Sequence, residues 1–486
     1  MRIAFVQDSG MNESAALLVL SGLLKLGGHT TRLFIEHDER DMFGALRRFD
    51  PGLVLIAIDI GGHHWGLGMA SRLARDIRAP LVVVGTYPTL ELDEVLARPE
   101  FRFVIPGECD VAVPALVDAL AAGSRDLAAV PGLHWRDVDG QWQRNPSPGY
   151  LDDLDVLPAP DVSLFEPYPY LLQFGVRRFV SGRGCANRCS YCYNNELSRR
   201  TRSLGRYVRR KSATPFVAEI ADSLAKYPAH HVHMGDDLFT HDPAWLREFA
   251  PLYRRTVGVP FTCNATPMSL TSETISLLAQ AGCHGVAVGV ESGDQVLRER
   301  ILERPARDED LRAGCERVRK SGILLAAFNL IAMPGETYEQ ALSTVQLNRQ
   351  LGVQVPRINF TIPLRGTRMT ERAIEEGFFT RQAQADLERE VAAGRFKLGP
   401  CFLSPDNAQF ERLFRVFQFA IMMGLGDAQV RQLVRSDLAV KAIPFRMLML
   451  YMERTFFRIQ WVPGLQMYLH AGHPLGRTKN FNNFIP

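Results

Sequence analysis

Three cysteines fall within one short stretch of the chain: SGRGCANRCSYCY, residues 181–193, sets Cys185, Cys189 and Cys192 in a C-x3-C-x2-C spacing. A structural zinc ion takes four ligands in a closed tetrahedron, and no second cysteine pair stands nearby to complete one. Three thiolates at short spacing suit a four-iron cluster, whose irons are held by cysteine sulfur. Such a cluster leaves one iron without a protein ligand, and that corner can bind a small co-substrate. The competing readings are a zinc site that borrows a distant fourth ligand and a chance grouping of cysteines.

Downstream of the triplet the chain repeats strand–helix units. The apolar runs RRFVSG (177–182), HVHMG (231–235), PFTCNA (260–265), GVAVGVESG (285–293), LLAAFNLIAMPGET (324–337) and RINFTIPLRGT (357–367) alternate with helical patterns. Those patterns lie at 215–226, 243–254, 272–281, 308–321 and 338–351. The alternation predicts a partial (β/α)6 barrel over 176–380, with chemistry at the carboxyl ends of its strands.

Residues 1–140 alternate in the same way, with apolar runs at 2–6, 29–36, 53–58, 81–85 and 101–105. Apolar strands that are each followed by a helix predict an α/β domain, a doubly wound parallel sheet of Rossmann type. Ligands of such sheets bind in the loops after the strands. Here those loops are QDSGMN, DIGGHHWG, GTYPT and PGECD, and none is G-x-G-x-x-G, so a dinucleotide is not expected. Residues 141–175, rich in Pro, Asp and Tyr without a period, read as a linker. Residues 381–486 turn helical, with apolar positions three and four apart, and read as a cap on the open barrel.

A net charge of +3 gives no electrostatic case for nucleic acid. Eight cysteines are too few for a disulfide scaffold, and the five outside the triplet read as small buried residues. The start MRIAFVQD reads as a strand and not a signal peptide. No run of about 18 uncharged apolar residues predicts a spanning helix. A cluster that survives in reducing surroundings favours the cytoplasm.

The triplet, with Tyr191 just before its third cysteine, resembles the signature of radical S-adenosylmethionine (radical SAM) enzymes. That resemblance implies a [4Fe-4S] cluster on Cys185, Cys189 and Cys192, with S-adenosylmethionine chelated to the open iron. One electron then splits the sulfonium into methionine and a 5′-deoxyadenosyl radical. The resemblance covers nearly all of 175–370, strand end by strand end. It implies that MGDDLF (234–239), with Gly235 and Asp236, meets the amino group of S-adenosylmethionine. Asn264 stands at the third strand end, Glu291 and Ser292 meet the ribose, and IAMPGET (331–337), with Ile331 and Pro334, flanks the adenine. Asp236 and Asp237 are then the candidate catalytic carboxylates. One would hold the ammonium, and the other would accept a proton or orient a substrate hydroxyl. The arginines at 199, 200, 202, 206, 209 and 210 read as a solvated basic loop or as the face for an anionic substrate.

The front stretch, about 2–160, resembles the cobalamin-binding domain fused ahead of many radical SAM enzymes, on the order of GTYPT, PGE, PGLHWRD and LDDLDVLPAPD. Members that replace the lower cobalt ligand carry Asp-x-His-x-x-Gly after the first strand. Here Asp8 is followed by Ser9 and Gly10, with no such histidine. His63, His64 and Trp65, in another loop, are the remaining candidates to face a corrin. Together the resemblances imply a radical SAM enzyme acting on a small metabolite, above all by cobalamin-dependent C-methylation. An electron donor such as flavodoxin or ferredoxin is implied as a partner. The alternative is corrin-free rearrangement, dehydration, cyclisation or coupling with a vestigial front domain. A non-catalytic iron–sulfur sensor is the third reading.

Overall fold

Strands that are largely buried build both sheets in the computed structural model, which describes residues 1–10, 14–304, 306–392, 395 and 397–458. Met11 and Asn12 of the loop QDSGMN, and 459–486 of the stretch read as a cap, therefore lie outside the described residues. Residues 1–173 and 197–209 form one unit, and residues 174–196 with 210–389 and the described helices beyond form another.

In the first unit, strands β1 (Arg2–Gln7), β2 (Thr30–Ile35), β3 (Leu53–Ala57), β4 (Leu81–Val84) and β5 (Phe103–Val104) run parallel in the order β2-β1-β3-β4-β5. The order reverses between β1 and β3, the place where open α/β sheets take ligands. Two short strands, β6 (His134–Arg136) and β7 (Trp142–Arg144), extend the sheet antiparallel. They were not among the predicted strands, because three residues each are too few for a period to be read. The side chain of Ser14 caps the helix Ala15–Leu26, and that of Asp41 caps Met42–Phe49.

The aperiodic stretch before residue 174 is fixed to this unit. Asp161 takes Lys25 in an ion pair at 2.8 Å, and Leu154 and Leu157 pack on Val19. The Tyr168 hydroxyl accepts from the Ile35 amide at 3.1 Å and donates to the Leu33 carbonyl at 3.0 Å.

The second unit is a curled sheet of six parallel strands in sequence order: β8 (Val176–Phe179), β9 (His231–Met234), β10 (Phe261–Ala265), β11 (Cys283–Glu291), β12 (Leu324–Ile331) and β13 (Val355–Phe360). Neighbours pair parallel throughout. Its outer face is packed by helices whose ends are set by local chemistry. Asp242 caps Pro243–Thr256 with proline in the first turn, and Thr337 with Gln340 forms a capping box on Tyr338–Leu351. Phe216, Phe239, Trp245, Phe249, Tyr253 and Phe261 stack into the core beneath.

The C-terminal extension divides its work. Helix Asn407–Met422 packs outside β13, with Phe414 stacked on Phe360 at 4.4 Å. Helix Phe445–Phe457 goes inside: Met452 and Phe456 are buried against Ala287, Ala326 and Val355 on the inner faces of β11, β12 and β13. A side chain at Gly285 would meet the Phe456 ring at 2.9 Å, so only glycine admits the helix there. Arg357 closes the contact on Glu453 at 2.9 and 3.1 Å. Sequence periodicity suggested a cap; the helix is instead a plug at the amino ends of the strands, opposite the cysteine loop.

Above the plug, His231 and His233 share the Thr262 hydroxyl at 3.2 and 3.1 Å and meet Phe457 edge to face. Burial holds both neutral, His231 down to about 3 and His233 well below the ordinary imidazole value. The unfolded chain takes up protons at both as pH falls through about 6.5, while the folded chain does not. Their contribution is therefore complete above that pH and is lost progressively toward pH 3. Between pH 7 and 5, His231→Gln should lose about 2 kcal/mol less unfolding free energy than the wild-type protein. Urea unfolding at the two pH values reads this, and equal losses would refute it.

Candidate functional site

The cysteine loop leaves β8 and is pinned on both sides. The Ser181 amide and hydroxyl donate to the two Asp236 oxygens at 3.0 and 2.6 Å. Ser190 donates its amide to the Leu302 carbonyl at 3.0 Å, and its own carbonyl takes the Met369 amide at 3.1 Å. Cys189 is buried, Cys185 and Cys192 are half-buried, and all three thiols are free. Each sulfur has an N–H donor: the Asn187 main chain for Cys185, the Asn194 main chain for Cys192, and Arg304 Nη1 at 3.5 Å for Cys189. Burial pushes the thiols up, Cys192 to about 12. Bound iron reverses that, because a coordinating thiol is deprotonated. Thiolates on one zinc lie within about 4 Å of one another. Among the described residues no three His, Cys, Asp or Glu side chains gather around one ion position. The donor set, three free thiols each with its own N–H donor, fits a cluster with one sulfur per iron.

The two adjacent aspartates after β9 part company. Asp236 is buried, held by Ser181 and 3.7 Å from Arg210, so its carboxylate braces the cysteine loop and is not open to a substrate. Asp237 is reached by solvent yet raised by burial, as a group in a concave mouth is. It accepts from Asn194 Nδ2 at 2.9 Å and acts electrostatically on Cys185 and Cys192. Asn264 donates to the Asp236 carbonyl at 3.0 Å and shapes this turn from below.

Across the barrel, a register shift in β11 lifts Glu291 into the left-handed region at φ 63°. Ala332, just past the end of the adjoining β12, takes φ 58°. Two such non-glycine residues at neighbouring strand ends mark backbone held against its preference. Glu291 Oε1 accepts from the Tyr191 hydroxyl at 3.0 Å and pairs with Arg304 Nη1 at 3.3 Å. Burial raises this carboxyl, and the guanidinium opposes the rise. Arg304 also donates to the Tyr191 oxygen at 3.1 Å and the Gly289 carbonyl at 3.3 Å. One guanidinium thus ties a cluster sulfur to the residue beside it and to the fourth strand end. Nothing in the sequence singled out Arg304, which lies in an aperiodic loop.

The other expected contacts are less direct. The Ser292 hydroxyl accepts from the Asp294 amide at 3.2 Å, a local turn that leaves the group fully buried. Ile331 packs outward with Ala341, Phe410 and Phe417, and its carbonyl accepts from the Thr361 amide at 2.9 Å and hydroxyl at 3.0 Å, so its side chain is turned away from the mouth. Pro334 is buried beside Glu336, whose carboxyl burial pushes up to about 8 while Oε2 accepts from the Met333 amide at 3.0 Å. The arginine-rich stretch is not a solvated loop throughout. Arg209 is buried on Glu108 at 3.0 Å, and Arg210 lies over Trp245 at 4.5 Å.

In the first unit, His63 and His64 open the helix His63–Asp76 instead of lying in a loop, with ring centroids 3.9 Å apart. His63 stacks on Tyr87 at 4.7 Å, beside the point where the strand order reverses. Burial lowers His64, which keeps it neutral, the form a metal needs. Trp65 is committed elsewhere, its indole N–H donating to Glu36 at 2.7 Å. Asp8 pairs with His37 at 3.0 Å, which raises that imidazole to about 9 and leaves it charged, unfit to ligate cobalt. The residues at this switch point fit a corrin that takes His63 or His64, or no protein ligand.

Residues 179–347 match the radical SAM superfamily. An uncharacterized methyltransferase of Pyrococcus horikoshii is 23% identical over 69% of this chain and 72% of its own length. Cytidylyl-2-hydroxyethylphosphonate methyltransferase of Streptomyces wedmorensis is 24% identical over 70% of this chain and 69% of its own. Among solved structures, the radical SAM methyltransferase TsrM of Kitasatospora setae, with cobalamin and a [4Fe-4S] cluster bound, superposes with a TM-score of 0.62 at 21% identity, covering 79% of each chain. OxsB, a cobalamin-dependent radical enzyme with aqua-cobalamin and S-adenosylmethionine bound, gives 0.63 at 12% identity, covering 97% of this chain and 75% of its own. The fold is shared with both. No helix among the described residues is long and apolar enough to cross a membrane.

Proposed function

We propose, from the premise that this chain is a radical SAM enzyme with a cobalamin-binding-like front domain, that it methylates a carbon of a small metabolite. The observation that carries the reading is the set of three free thiols, each with its own N–H donor, joined through Arg304 to Glu291. A cluster on Cys185, Cys189 and Cys192 with S-adenosylmethionine would supply a hydrogen-abstracting radical, and a corrin at the first unit's switch point would supply the methyl group. Asp237, in the mouth beside the cysteines, holds the ammonium of S-adenosylmethionine. Both contacts to Glu291 fall on Oε1, which leaves Oε2 for a ribose hydroxyl. Gly235 and the main chain at Ile331 and Pro334 bound the nucleoside. The helix Phe445–Phe457, filling the floor of the barrel, keeps water from reaching a radical from below. The substrate is a small molecule, the reductant a flavodoxin or ferredoxin, and the compartment the cytoplasm.

The test is anaerobic reconstitution of the full chain with iron, sulfide and cobalamin, then reduction with S-adenosylmethionine. The expected result is about one corrin per chain, with release of both 5′-deoxyadenosine and S-adenosylhomocysteine. Release of 5′-deoxyadenosine by a protein that binds no corrin would replace methylation by a corrin-free rearrangement, dehydration, cyclisation or coupling. The pairing of Asp8 with His37 favours that second reading. No 5′-deoxyadenosine at all would overturn the reaction class.

A further inference from the structure

Arg178 stands on β8, and its neighbour Phe179 packs in the outer core, so alternation turns Arg178 to the barrel lumen. There it is half-buried, above the plug and below the cysteine loop. Among the described residues it makes one hydrogen bond, Nη2 to the Gly235 carbonyl at 3.3 Å, and Nε is buried without a partner. A methyl at Gly235 would lie 2.2 Å from that Nε, so the absence of a side chain at 235 is what lets the guanidinium lie across the end of β9. No carboxylate among the described residues forms an ion pair with it. Asp237 feels its charge but is hydrogen-bonded to Asn194.

Three other lumen groups among the described residues are accounted for. Arg357 is matched by Glu453, His233 is neutral, and Arg304 is matched by Glu291. A guanidinium is always charged and presents a planar fork suited to carboxylate or phosphate oxygens. What sets Arg178 apart is a lumen-facing charge with no carboxylate partner among the described residues, a position that an oxyanion would match. Phe328 and Asn359, on the inner faces of β12 and β13, are half-buried, Phe328 at the edge of the plug contact with Arg357 over its ring at 5.3 Å.

The geometry points to Arg178 as the residue that recognises an anionic group on the substrate, a carboxylate or a phosphonate-type oxyanion, with an aromatic or aliphatic body against Phe328. This deepens the proposed function and rests on the barrel lumen being its substrate site. The test uses the reconstituted full chain titrated with phenylphosphonate, benzoate and neutral benzamide, in wild type, Arg178→Gln and Arg178→Lys. An anionic probe should bind the wild type about tenfold or more tighter than benzamide. Arg178→Gln should erase that difference, and Arg178→Lys should keep part of it. The tighter of the two anions identifies which oxyanion the site prefers.

Equal binding of neutral and anionic probes, or an unchanged preference in Arg178→Gln, overturns the assignment. So does a fall in substrate-free 5′-deoxyadenosine release in Arg178→Gln with the anion preference intact, which would move the arginine to the co-substrate. Failure of the wild type to release 5′-deoxyadenosine strikes the reaction class and leaves the binding result standing.

Discussion

Cys189→Ala is expected to fold, to lose the brown cluster absorbance, and to release 5′-deoxyadenosine more than about a thousandfold more slowly than the wild-type protein, because the radical chemistry belongs to the cofactor and the protein only holds it. Cys189 is the informative member of the triplet. It is the most buried of the three, and among the described residues the only one whose sulfur meets a side-chain cation, Arg304 Nη1 at 3.5 Å. Removing its sulfur leaves two thiols, too few to fix a four-iron cube, and unmoors the guanidinium from the loop. The matching control is Cys315→Ala. Cys315 is equally buried, but among the helices outside the barrel with Leu311 and Val318. That variant should keep iron content and turnover. Iron and sulfide analysis with chromatographic detection of 5′-deoxyadenosine reads both. A Cys189→Ala protein that holds four irons and cleaves S-adenosylmethionine normally would remove the cluster assignment.

The features that were legible in the sequence are those whose physics is local. The cysteine spacing is chemistry within one loop. Strands such as LVLIA and LVVV declare themselves because they are buried on both faces and so lack polar alternation. Where a conclusion depends on what a segment meets, sequence ran out. The amphipathic period of Phe445–Phe457 says that one face is buried, but not that the face is pressed into a barrel lumen against Gly285 and Ala287. Asp236 and Asp237 are chemically alike in the sequence. A half-turn of backbone sends one to Ser181 and the other to the open mouth. His63 and His64 looked like loop residues because Gly61-Gly62 precedes them, yet those glycines end the loop and the histidines begin a helix. Arg304 carries no periodic or motif signal at all, and its importance comes from four partners separated by 13 to 115 residues in the chain.

Arg304→Met should destabilise the second unit by about 3–5 kcal/mol at neutral pH, the cost of leaving a buried charge without its partner. The guanidinium now faces Cys189, Tyr191, Glu291 and the Gly289 carbonyl; Glu291 is buried and the Arg304 side chain is 13% exposed. Without it, Glu291 must either stay charged in a poor solvent or take up a proton.

The pH dependence distinguishes this from a loss of packing. The folded carboxyl is already raised by burial, and Arg304 is what restrains it, so the variant raises it further. An unfolded glutamate titrates near 4.3, so between that pH and the raised folded value the native state binds a proton that the unfolded chain does not. Stability then falls as pH rises. The deficit of Arg304→Met against wild type should be small at pH 5 and large at pH 8. Adding Glu291→Gln, which removes the orphaned charge while keeping an acceptor for the Tyr191 hydroxyl, should recover most of it. Urea unfolding of the four proteins at the two pH values closes the cycle. A deficit that is the same at pH 5 and pH 8, and that the second substitution does not relieve, would mean that Arg304 acts by filling space and not by holding the charge of Glu291 beside the cluster.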